Sequence, residues 1–348
     1  MKSLVRLAML VCLAGVASAQ APVRVLTHSS FDLPLEVIEA FTAETGFEVQ
    51  LLPAGDAGEL VNRAVLTAGR PIGDVLFGVD NSLLSRAADA GVFEPYEPAL
   101  AAQVPDDLRF DDAGLVTPVT VGYVAFNVDR GWFTEGEAPQ DLTDLTADAF
   151  RGLTVVMDPA ASSTGLAFML ATIDRFGEDG WLSFWADLRD NDLQVTSGWT
   201  DAYYTAFSAY GGDRPIVLSY ASSPAAEVIF AAGPLDEAPT YNLFCDRCTY
   251  RQIEAAGVLA GADNAEGARA FIDFLLSDAV QEAVPMAMFV YPVVPGTALP
   301  PEFDEFAAVP VGEHVAALDD AFVSLNQQRW LDEWTQVVIQ GRDPSQVR

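Results

Sequence analysis

Short apolar runs alternate with stretches of helical spacing in the first part of the chain. The run at 23–27 predicts a strand, and 34–46 predicts a helix because Val37, Ile38 and Phe41 fall on one face. The pattern then predicts strands at 47–51 and 74–78 and helices at 60–68 and 82–90. This βαβαβα order is typical of a parallel sheet with helices on both of its faces.

The same alternation recurs after residue 150. Predicted strands lie at 153–157, 193–196 and 216–220, each followed by a predicted helix, at 164–176, at 200–210 and from 223 onward. Another helix is predicted at 265–284. The C-terminal helix carries a stripe of large apolar side chains that we expect in the core: Phe322, Leu325, Trp330, Leu331 and Trp334.

Two such blocks predict an α/β protein with two lobes, each a mostly parallel sheet with helices on both faces, and a ligand cleft between the lobes. We assign 22–120 and about 245–288 to lobe 1, and 121–244 and about 289–348 to lobe 2. Because no long linker or low-complexity stretch separates the blocks, we expect short crossing strands to join the lobes.

The first 19 residues have the pattern of a secretory signal peptide. Lys2 and Arg6 precede the apolar run 7–16 and the small-residue triplet 17–19, so we expect cleavage after Ala19. A membrane anchor is the alternative, but the run is shorter than the roughly 20 apolar residues of a spanning helix. We therefore expect an exported protein that does not insert into the membrane.

Acidic residues strongly outnumber basic ones. The 348-residue chain has 50 Asp and Glu against 18 Lys and Arg, a formal net charge of −32, which loss of Lys2 and Arg6 with the leader makes −34. Such a surface repels nucleic acid and anionic lipid, so the composition argues against a nucleic-acid partner. Solubility, or life in a salty medium, is the general explanation of the charge.

Cys245 and Cys248 form a C-x-x-C pair in a loop-like context. A redox-active pair or half of a zinc site are alternatives. The chain has no second C-x-x-C and only two histidines, His28 and His314, which is a poor ligand set for zinc. For an exported protein we favour a local structural disulfide between the two cysteines, and we expect no metal site.

Ligands of open α/β sheets bind at the carboxyl ends of the strands, in the loops that lead into helices. In the second block these loops are rich in small hydroxyl side chains, with Ser162 and Ser163 before one predicted helix and Ser222 and Ser223 before another. Unpaired N–H groups at helix starts favour anions, so converging helix starts predict an oxyanion or phosphate pocket. Ordinary N-capping is the simpler explanation of any one loop.

The first block contributes carboxylates instead. Asp56 and Asp80 lie in loops that can face a cation or an amino group. Aromatic faces attract cations, and five aromatic side chains lie at or near the loop ends: Trp199, Tyr203, Tyr220, Phe289 and Tyr291. The implied ligand is a flat, cationic molecule that can carry a phosphate, although each aromatic residue other than Trp199 fits a core position better.

Five segments of the chain resemble the periplasmic thiamine-binding proteins of ABC importers, within the type II solute-binding family. They are DPAASSTGL at 158–166, TSGWTDAY at 196–203, VLSYASSPA at 217–225, GVDNSLL at 78–84 and YPV at 291–293. The similarity extends over essentially the whole chain after the leader.

The resemblance implies ligand contacts in most of the same loops. Asp56 and Ala57 match an Asp-Gly pair beside the aminopyrimidine end of the ligand, and Ser162 and Ser163 match a Ser-Thr pair at its phosphate or hydroxyethyl end. Trp199 matches a tryptophan of the same pocket. A Tyr-Thr-Thr-Ser run of the family is matched here by Tyr220, Ala221, Ser222 and Ser223.

Two positions of the predicted pocket depart from the family. Phe289 stands where the family has a tryptophan, and it offers a smaller face that attracts cations less strongly. His28 stands where the family has a tyrosine, so a phenol is replaced by an imidazole that titrates near neutral pH. The class of ligand is therefore better defined than its identity.

The resemblance implies a monomeric periplasmic protein that captures thiamine, and thiamine phosphates, by hinge closure and delivers it to the transmembrane subunits of an ABC permease. It implies no cofactor, since thiamine is the transported ligand. Ferric iron is the main alternative, because related binding proteins use adjacent tyrosines such as Tyr203 and Tyr204. Another small cation such as a polyamine is a further alternative, and an enzyme is remote because no G-x-S-x-G motif is present.

Overall fold

A computed structural model describes residues 20–134 and 136–347. The predicted leader, residues 1–19, lies outside the described residues. The strands of the described part are β1 Val23–Thr27, β2 Val49–Pro53, β3 Val75–Asp80, β4 Phe93–Glu94, β5 Thr117–Asp129, β6 Thr154–Met157, β7 Gln194–Thr196, β8 Ile216–Tyr220, β9 Thr240–Leu243, β10 Tyr250–Leu259 and β11 Tyr291–Pro292.

The helices follow most of the predicted positions. They are α1 Leu35–Thr45, α2 Ala57–Leu66, α3 Leu84–Asp89, α4 Ser163–Asp190, α5 Trp199–Asp201, α6 Ser223–Ile229, α7 Ala265–Leu275, α8 Asp278–Gln281, α9 Val284–Ala287, α10 Pro301–Phe306 and α11 Asp320–Trp334. Short 3-10 and π-helical turns lie between them.

The sheet has two parallel parts joined by an antiparallel centre. Its main strand order is β2-β1-β3-β10-β5-β8-β6-β7. β1 is parallel to β2 and β3, and β6 is parallel to β7 and β8, whereas β10 and β5 run antiparallel to their neighbours. Each parallel part corresponds to one of the two α/β blocks expected from the sequence, as a two-lobed type II fold requires.

Helices cover both faces of the first parallel part. Alternate residues of a strand point to opposite faces, and the alternation is seen in the core: Val25 and Phe77 pack with Phe41 of α1, whereas Leu26 packs on the other side with Leu60 of α2. The doubly covered, parallel arrangement that the apolar runs predicted is confirmed here.

Two long strands cross between the parallel parts. β5 has 13 residues and β10 has 10. β5 pairs with β10 and β11 through its first half and with β8 and β9 through its second half. The crossing strands are therefore longer than predicted, because each must pair with neighbours at both of its ends. The residue boundaries proposed above for the two lobes stay a prediction.

Helix ends are set by local chemistry. Gly46 ends α1, at the edge of the sheet away from the cleft, in the left-handed region at φ 80°, which a residue with a Cβ adopts at a cost. Asp56 caps α2 with its side chain, and Glu59 returns the contact to the N–H of Asp56 as a capping box. The cap holds Asp56 at the carboxyl end of β2, where the ligand loops were expected.

Helical predictions in the second half needed corrections. α4 continues past the predicted end at 176, because the chain resumes helical geometry after a single non-helical residue, Gly177. The segment predicted as a helix at 200–210 instead forms α5, a π-helical turn and a 3-10 turn. The segment predicted as one helix at 265–284 is three shorter helices, α7, α8 and α9.

Only part of the predicted apolar stripe of the C-terminal helix is buried in the core. Trp330 and Trp334 are fully buried, and Trp334 meets Trp185 of α4 edge to face, with ring centroids 5.4 Å apart. Phe322 and Leu325 are exposed, which corrects their predicted core position. The first turns of α11 bury Val323 and Gln327 and leave Phe322 and Leu325 on the solvent side.

Candidate functional site

A cavity of about 540 Å³ lies where the two parallel parts of the sheet face each other across the crossing strands. Its walls come from the loop after β1, the start of α2, the starts of α4 and α6, the α5 region, β10 and the segment 287–290. These loops follow strand ends, so the cavity lies where the rule for open α/β sheets places a ligand.

Nine of the fourteen side chains predicted for the pocket line this cavity. They are His28, Asp56, Ala57, Ser163, Trp199, Tyr203, Tyr220, Ser223 and Phe289. The structure thus brings together residues from both α/β blocks that are up to 261 positions apart in the sequence. Ser162, Ala221, Ser222, Tyr291 and Asp80 lie behind the wall instead.

Aromatic rings form one wall of the cavity. The Trp199 ring stacks on Tyr203, with centroids 4.9 Å apart and planes 16° apart, and Tyr204 meets it edge to face at 5.5 Å. The Trp199 indole N–H donates to Ser219 Oγ at 2.8 Å, and the Tyr203 hydroxyl donates to Glu227 at 2.7 Å. The rings are held from behind, so their faces are presented in fixed orientation.

The two sides of the cleft are in contact, as in a closed form. The Trp199 backbone N–H donates to Asp56 Oδ2 at 2.9 Å, and the Glu59 N–H donates to the Ala161 carbonyl at 3.1 Å. Asp56 Oδ1 accepts from the Ala57 N–H at 2.6 Å. Asp56 therefore both caps α2 and connects the two halves of the cleft, which its sequence position alone did not show.

The start of α4 brings hydroxyl groups to the cavity. Ser163 and Thr164 line it, while Ser162 is fully buried and its hydroxyl lies 2.9 Å from that of Thr164. Unpaired N–H groups at the start of α4, which is helical without interruption as far as the break at Gly177, favour an anionic or hydroxyl group. This end of the cavity suits the more polar part of a ligand.

Phe289 is held in an unusual backbone conformation at the cavity wall. Its φ is 55°, in the left-handed region that a side chain with a Cβ adopts at a cost. The Ser222 hydroxyl donates to its carbonyl, and the Phe230 ring lies 5.1 Å from its ring. Ser222 therefore acts behind the wall by fixing Phe289, and does not itself line the cavity.

Ala221 and Tyr291 also lie behind the wall. The Ala221 carbonyl accepts a hydrogen bond from Asn242 at 2.8 Å, and its side chain is fully buried. The Tyr291 hydroxyl donates to the Ala307 carbonyl at 2.7 Å, and its ring packs against Phe303. Both residues support the site through the backbone and the core.

The carboxylate of Asp80 is directed away from the cavity, which corrects the expectation that it faces a cation. It is buried and accepts hydrogen bonds from the N–H groups of Ser82 and Leu83 and from the Gln252 amide. Burial raises its pKa to about 6. Gln252 in turn accepts from the Tyr220 hydroxyl at 2.6 Å. Asp80 therefore positions Tyr220 indirectly, through Gln252.

Several lining residues were not predicted from the sequence. They are Phe31, Asp32, Tyr210, Phe230 and Glu254, whereas Tyr204 was named only for the iron alternative. Glu254 lies inside β10, away from any strand end, so the strand-end rule could not find it. A register shift of β10 against β5 falls directly after Glu254. Such bulges re-aim side chains and leave no clear mark in a single sequence.

Cys245 and Cys248 are buried outside the cavity and are free thiols in the structure. Cys248 Sγ accepts from the Cys245 N–H at 2.6 Å, and the Arg175 guanidinium lies 3.3 Å from Cys245 Sγ. The hydrogen bond from Cys248, with the nearby Arg175, lowers the pKa of Cys245. The structure therefore differs from the predicted disulfide, which stays a prediction for the protein in an oxidising compartment.

A buried carboxylate lies directly behind the aromatic wall. Glu227 accepts from the hydroxyls of Tyr203 and Thr240, both at 2.7 Å. Burial raises its pKa from an ordinary 4.5 to about 7, although these hydrogen bonds oppose the shift. The folded protein therefore binds this proton more tightly than the unfolded chain does, and it loses stability as the pH rises from about 4.5 through 7.

Replacing Glu227 by glutamine should remove this part of the pH dependence. We expect the stability lost between pH 4.5 and pH 8 to be smaller in E227Q by about 3 kcal/mol, since each unit of pKa shift corresponds to about 1.4 kcal/mol. Urea unfolding at several pH values measures the difference. The exposed Glu305→Gln is the matched control and should follow the unmodified protein; parallel curves for E227Q and the unmodified protein would contradict the assignment.

Within residues 20–134 and 136–347, each helix is either too short or too polar to span a bilayer. No group of three or more His, Cys, Asp or Glu side chains in the same ranges is placed to hold a metal ion.

The chain is similar in sequence to known periplasmic binding proteins over most of its length. The Thiamine-binding periplasmic protein of Escherichia coli is 29% identical over 341 residues, which cover 95% of this chain and 97% of that protein. Iron uptake protein A2 of Synechocystis is 30% identical over 268 residues, covering 73% and 74% of the two chains.

A solved structure, "Periplasmic thiamin binding protein", superposes with a TM-score of 0.80 at 27% identity and covers 93% of this chain and 98% of that chain. The family model described as "Bacterial extracellular solute-binding protein" matches residues 70–313. That match includes the second α/β block, both crossing strands and most of the cavity wall. The chain belongs to the family of bacterial extracellular solute-binding proteins.

Proposed function

We propose that this protein is the periplasmic substrate-binding component of an ABC transporter and that it captures thiamine, and thiamine phosphates, in the cavity between its lobes. The observation that carries the proposal is the composition of the cavity wall. Aromatic rings and carboxylates line it, and no Lys or Arg is among its described lining residues. Both the aromatic ring faces and the negative charge of the carboxylates attract a flat cation.

The polarity of the cavity supports an oriented ligand. Trp199 and Tyr203 offer a stacked aromatic surface, and the carboxylates of Asp56 and Glu254 also line the cavity. Ser163, at the start of α4, is placed for the hydroxyethyl or phosphate group of thiamine or its phosphate esters. The names of the relatives of comparable length agree with this choice of ligand.

Ferric iron is the second candidate, because Iron uptake protein A2 is a relative and both Tyr203 and Tyr204 line the cavity. Iron binding by tyrosine requires phenolate oxygens. Burial raises the pKa of Tyr203 and of Tyr220 well above the ordinary value. Their hydroxyls already donate, to Glu227 and to Gln252 respectively. This arrangement favours thiamine over iron.

Hinge closure is the mechanism that the fold supports. The two parallel parts of the sheet are joined by β5 and β10, and backbone contacts connect the two sides of the cleft across the cavity. Bending at the crossing strands would open the cleft, and closure around a ligand would present one rigid shape to the permease. The protein acts in this scheme as a monomer, without a cofactor and without catalysing a reaction.

Tryptophan fluorescence tests the ligand directly, since Trp199 is one of six tryptophans and lines the cavity. The ligand-free protein is titrated with thiamine, thiamine monophosphate, thiamine diphosphate, spermidine and ferric citrate. We expect saturable quenching with thiamine or its phosphates. A response to ferric citrate alone, with a visible charge-transfer colour, would replace thiamine by iron, and a response to spermidine alone would replace it by a polyamine.

A further inference from the structure

Glu254 is fixed inside the cavity by both crossing strands. It projects from β10 beside a register shift, and its Oε2 accepts from the Thr120 hydroxyl of β5 at 3.1 Å. Its side chain is largely buried, with 20% exposure. Burying most of a carboxylate side chain costs free energy unless a positive group meets it.

The side chain that meets Glu254 in the structure is His28, which is positive only when it is protonated. The His28 Nε2 atom lies 2.9 Å from Glu254 Oε1. The Ser30 N–H donates to His28 Nδ1 at 3.2 Å, so the opposite nitrogen is the one that carries a proton towards Glu254. His28 Nε2 has no well-directed hydrogen-bond partner, so Glu254 Oε1 stays open to another donor. With Nδ1 as an acceptor the imidazole is neutral, and its protonation requires Nδ1 to give up the contact with the Ser30 N–H.

The surroundings of His28 are acidic or neutral on every side. Glu254 faces it from β10, Asp56 from the start of α2, and Asp32 lies in the same loop after β1 and lines the cavity. The Tyr220 phenol of β8 is uncharged, and the rings of Phe31 and Phe77 also lie beside His28.

Burial of the imidazole opposes its protonation, but the charges of Glu254 and Asp56 outweigh burial and raise the pKa of His28. His28 therefore holds its proton to a higher pH than a free imidazole does. Protonated His28 neutralises Glu254, and neutral His28 leaves that carboxylate without a counter-ion.

We propose that Glu254 is the anionic anchor for a cationic ligand and that His28 is its resident counter-ion, which the ligand's positive charge displaces. The inference rests on the proposed function, because it takes the ligand to be a cation. Binding then releases a proton from His28, and the affinity for a cation rises with pH until His28 is neutral in the free protein. The change is at most tenfold per pH unit, since one proton is exchanged.

Calorimetry with thiamine as the probe tests this exchange. Titrations at pH 6, 7, 8 and 9, in two buffers of different ionisation enthalpy, give both the affinity and the number of protons released. We expect the affinity to rise at least fivefold across this range, with up to one proton released per thiamine. Glu227, whose pKa is about 7, also titrates in this range behind Tyr203, so the His28→Gln comparison is made in an E227Q background. There we expect the rise and the release when His28 is present, and neither of them with His28→Gln.

The remaining variants separate the two parts of the proposal. His314→Gln removes the only other histidine of the chain, whose ring stacks on Phe244 outside the cavity, and should keep the full pH dependence. Glu254→Gln should weaken thiamine binding at least tenfold at pH 9 and abolish the proton release. If Glu254→Gln does not fold, as judged by its melting curve, the His28→Gln titrations decide alone.

The outcomes distinguish this inference from the proposed function. Thiamine binding with an affinity independent of pH, or a pH dependence that persists in His28→Gln, would overturn the counter-ion exchange while leaving thiamine as the ligand. Absence of thiamine binding at every pH would overturn both.

Discussion

Replacing Trp199 by alanine is expected to weaken thiamine binding by about 100-fold. The ring offers a stacked face beside Tyr203 and is fixed by its bond to Ser219. A desolvated cation over a tryptophan face gains about 2 kcal/mol, and an aromatic pair adds about 1 kcal/mol, which together correspond to roughly 100-fold in affinity. Calorimetric titration of W199A with thiamine measures the loss.

The matched control for W199A is Trp132→Ala. Trp132 is half-exposed and is absent from the cavity wall, so its loss should leave the affinity within about twofold. The backbone N–H of residue 199 remains in W199A, so the contact with Asp56 is kept and the experiment isolates the ring. An affinity of W199A close to that of the unmodified protein would place the ligand elsewhere.

Replacing Gly58 by valine is expected to block closure of the cleft and reduce thiamine affinity by about 100-fold. A Cβ at Gly58 would lie 2.5 Å from the Ala161 carbonyl oxygen and 2.7 Å from its carbon, both on the opposite side of the cleft. The Ala161 backbone cannot move aside far enough to accept a side chain at these distances. We therefore expect the closed form to be excluded, and the open form, in which the two sides of the cleft separate, to tolerate the valine. A ligand held by one lobe alone loses the contacts of the other.

Small-angle X-ray scattering with and without thiamine measures this effect alongside the titration. The unmodified protein should contract on binding, and G58V should stay expanded at a melting temperature close to that of the unmodified protein. Gly233→Val is the control, since a Cβ there meets nothing within 4 Å. Contraction and unchanged affinity in G58V would show that ligand binding does not need the closed geometry described above.

The sequence predicted the cavity through one rule. Strand ends of both blocks were expected to carry the ligand loops, and Trp199, Ser163 and Asp56 lie in the cavity wall for that reason. This rule predicts which loops surround the ligand, but it does not predict the direction in which each side chain of a loop points. Asp80 was therefore expected in the pocket, although its carboxylate is directed to its own turn and to Gln252.

What the sequence did not predict depends on tertiary geometry. Glu254 enters the cavity from the middle of a crossing strand beside an irregular register, which no local pattern marks. The extension of α4 past Gly177 and the replacement of a regular helix at 200–210 by shorter turns have the same origin. Packing against the rest of the fold overrides local preference at these sites.

The most direct test of the central claim, that this chain binds thiamine between its lobes, is native mass spectrometry under competition. The protein is unfolded, freed of any ligand, refolded, and mixed with equimolar thiamine, spermidine and ferric citrate. The account predicts a one-to-one complex with thiamine that is strongly depleted in G58V and W199A. A complex with ferric iron or spermidine in place of thiamine, or a thiamine complex that survives both substitutions, would contradict it.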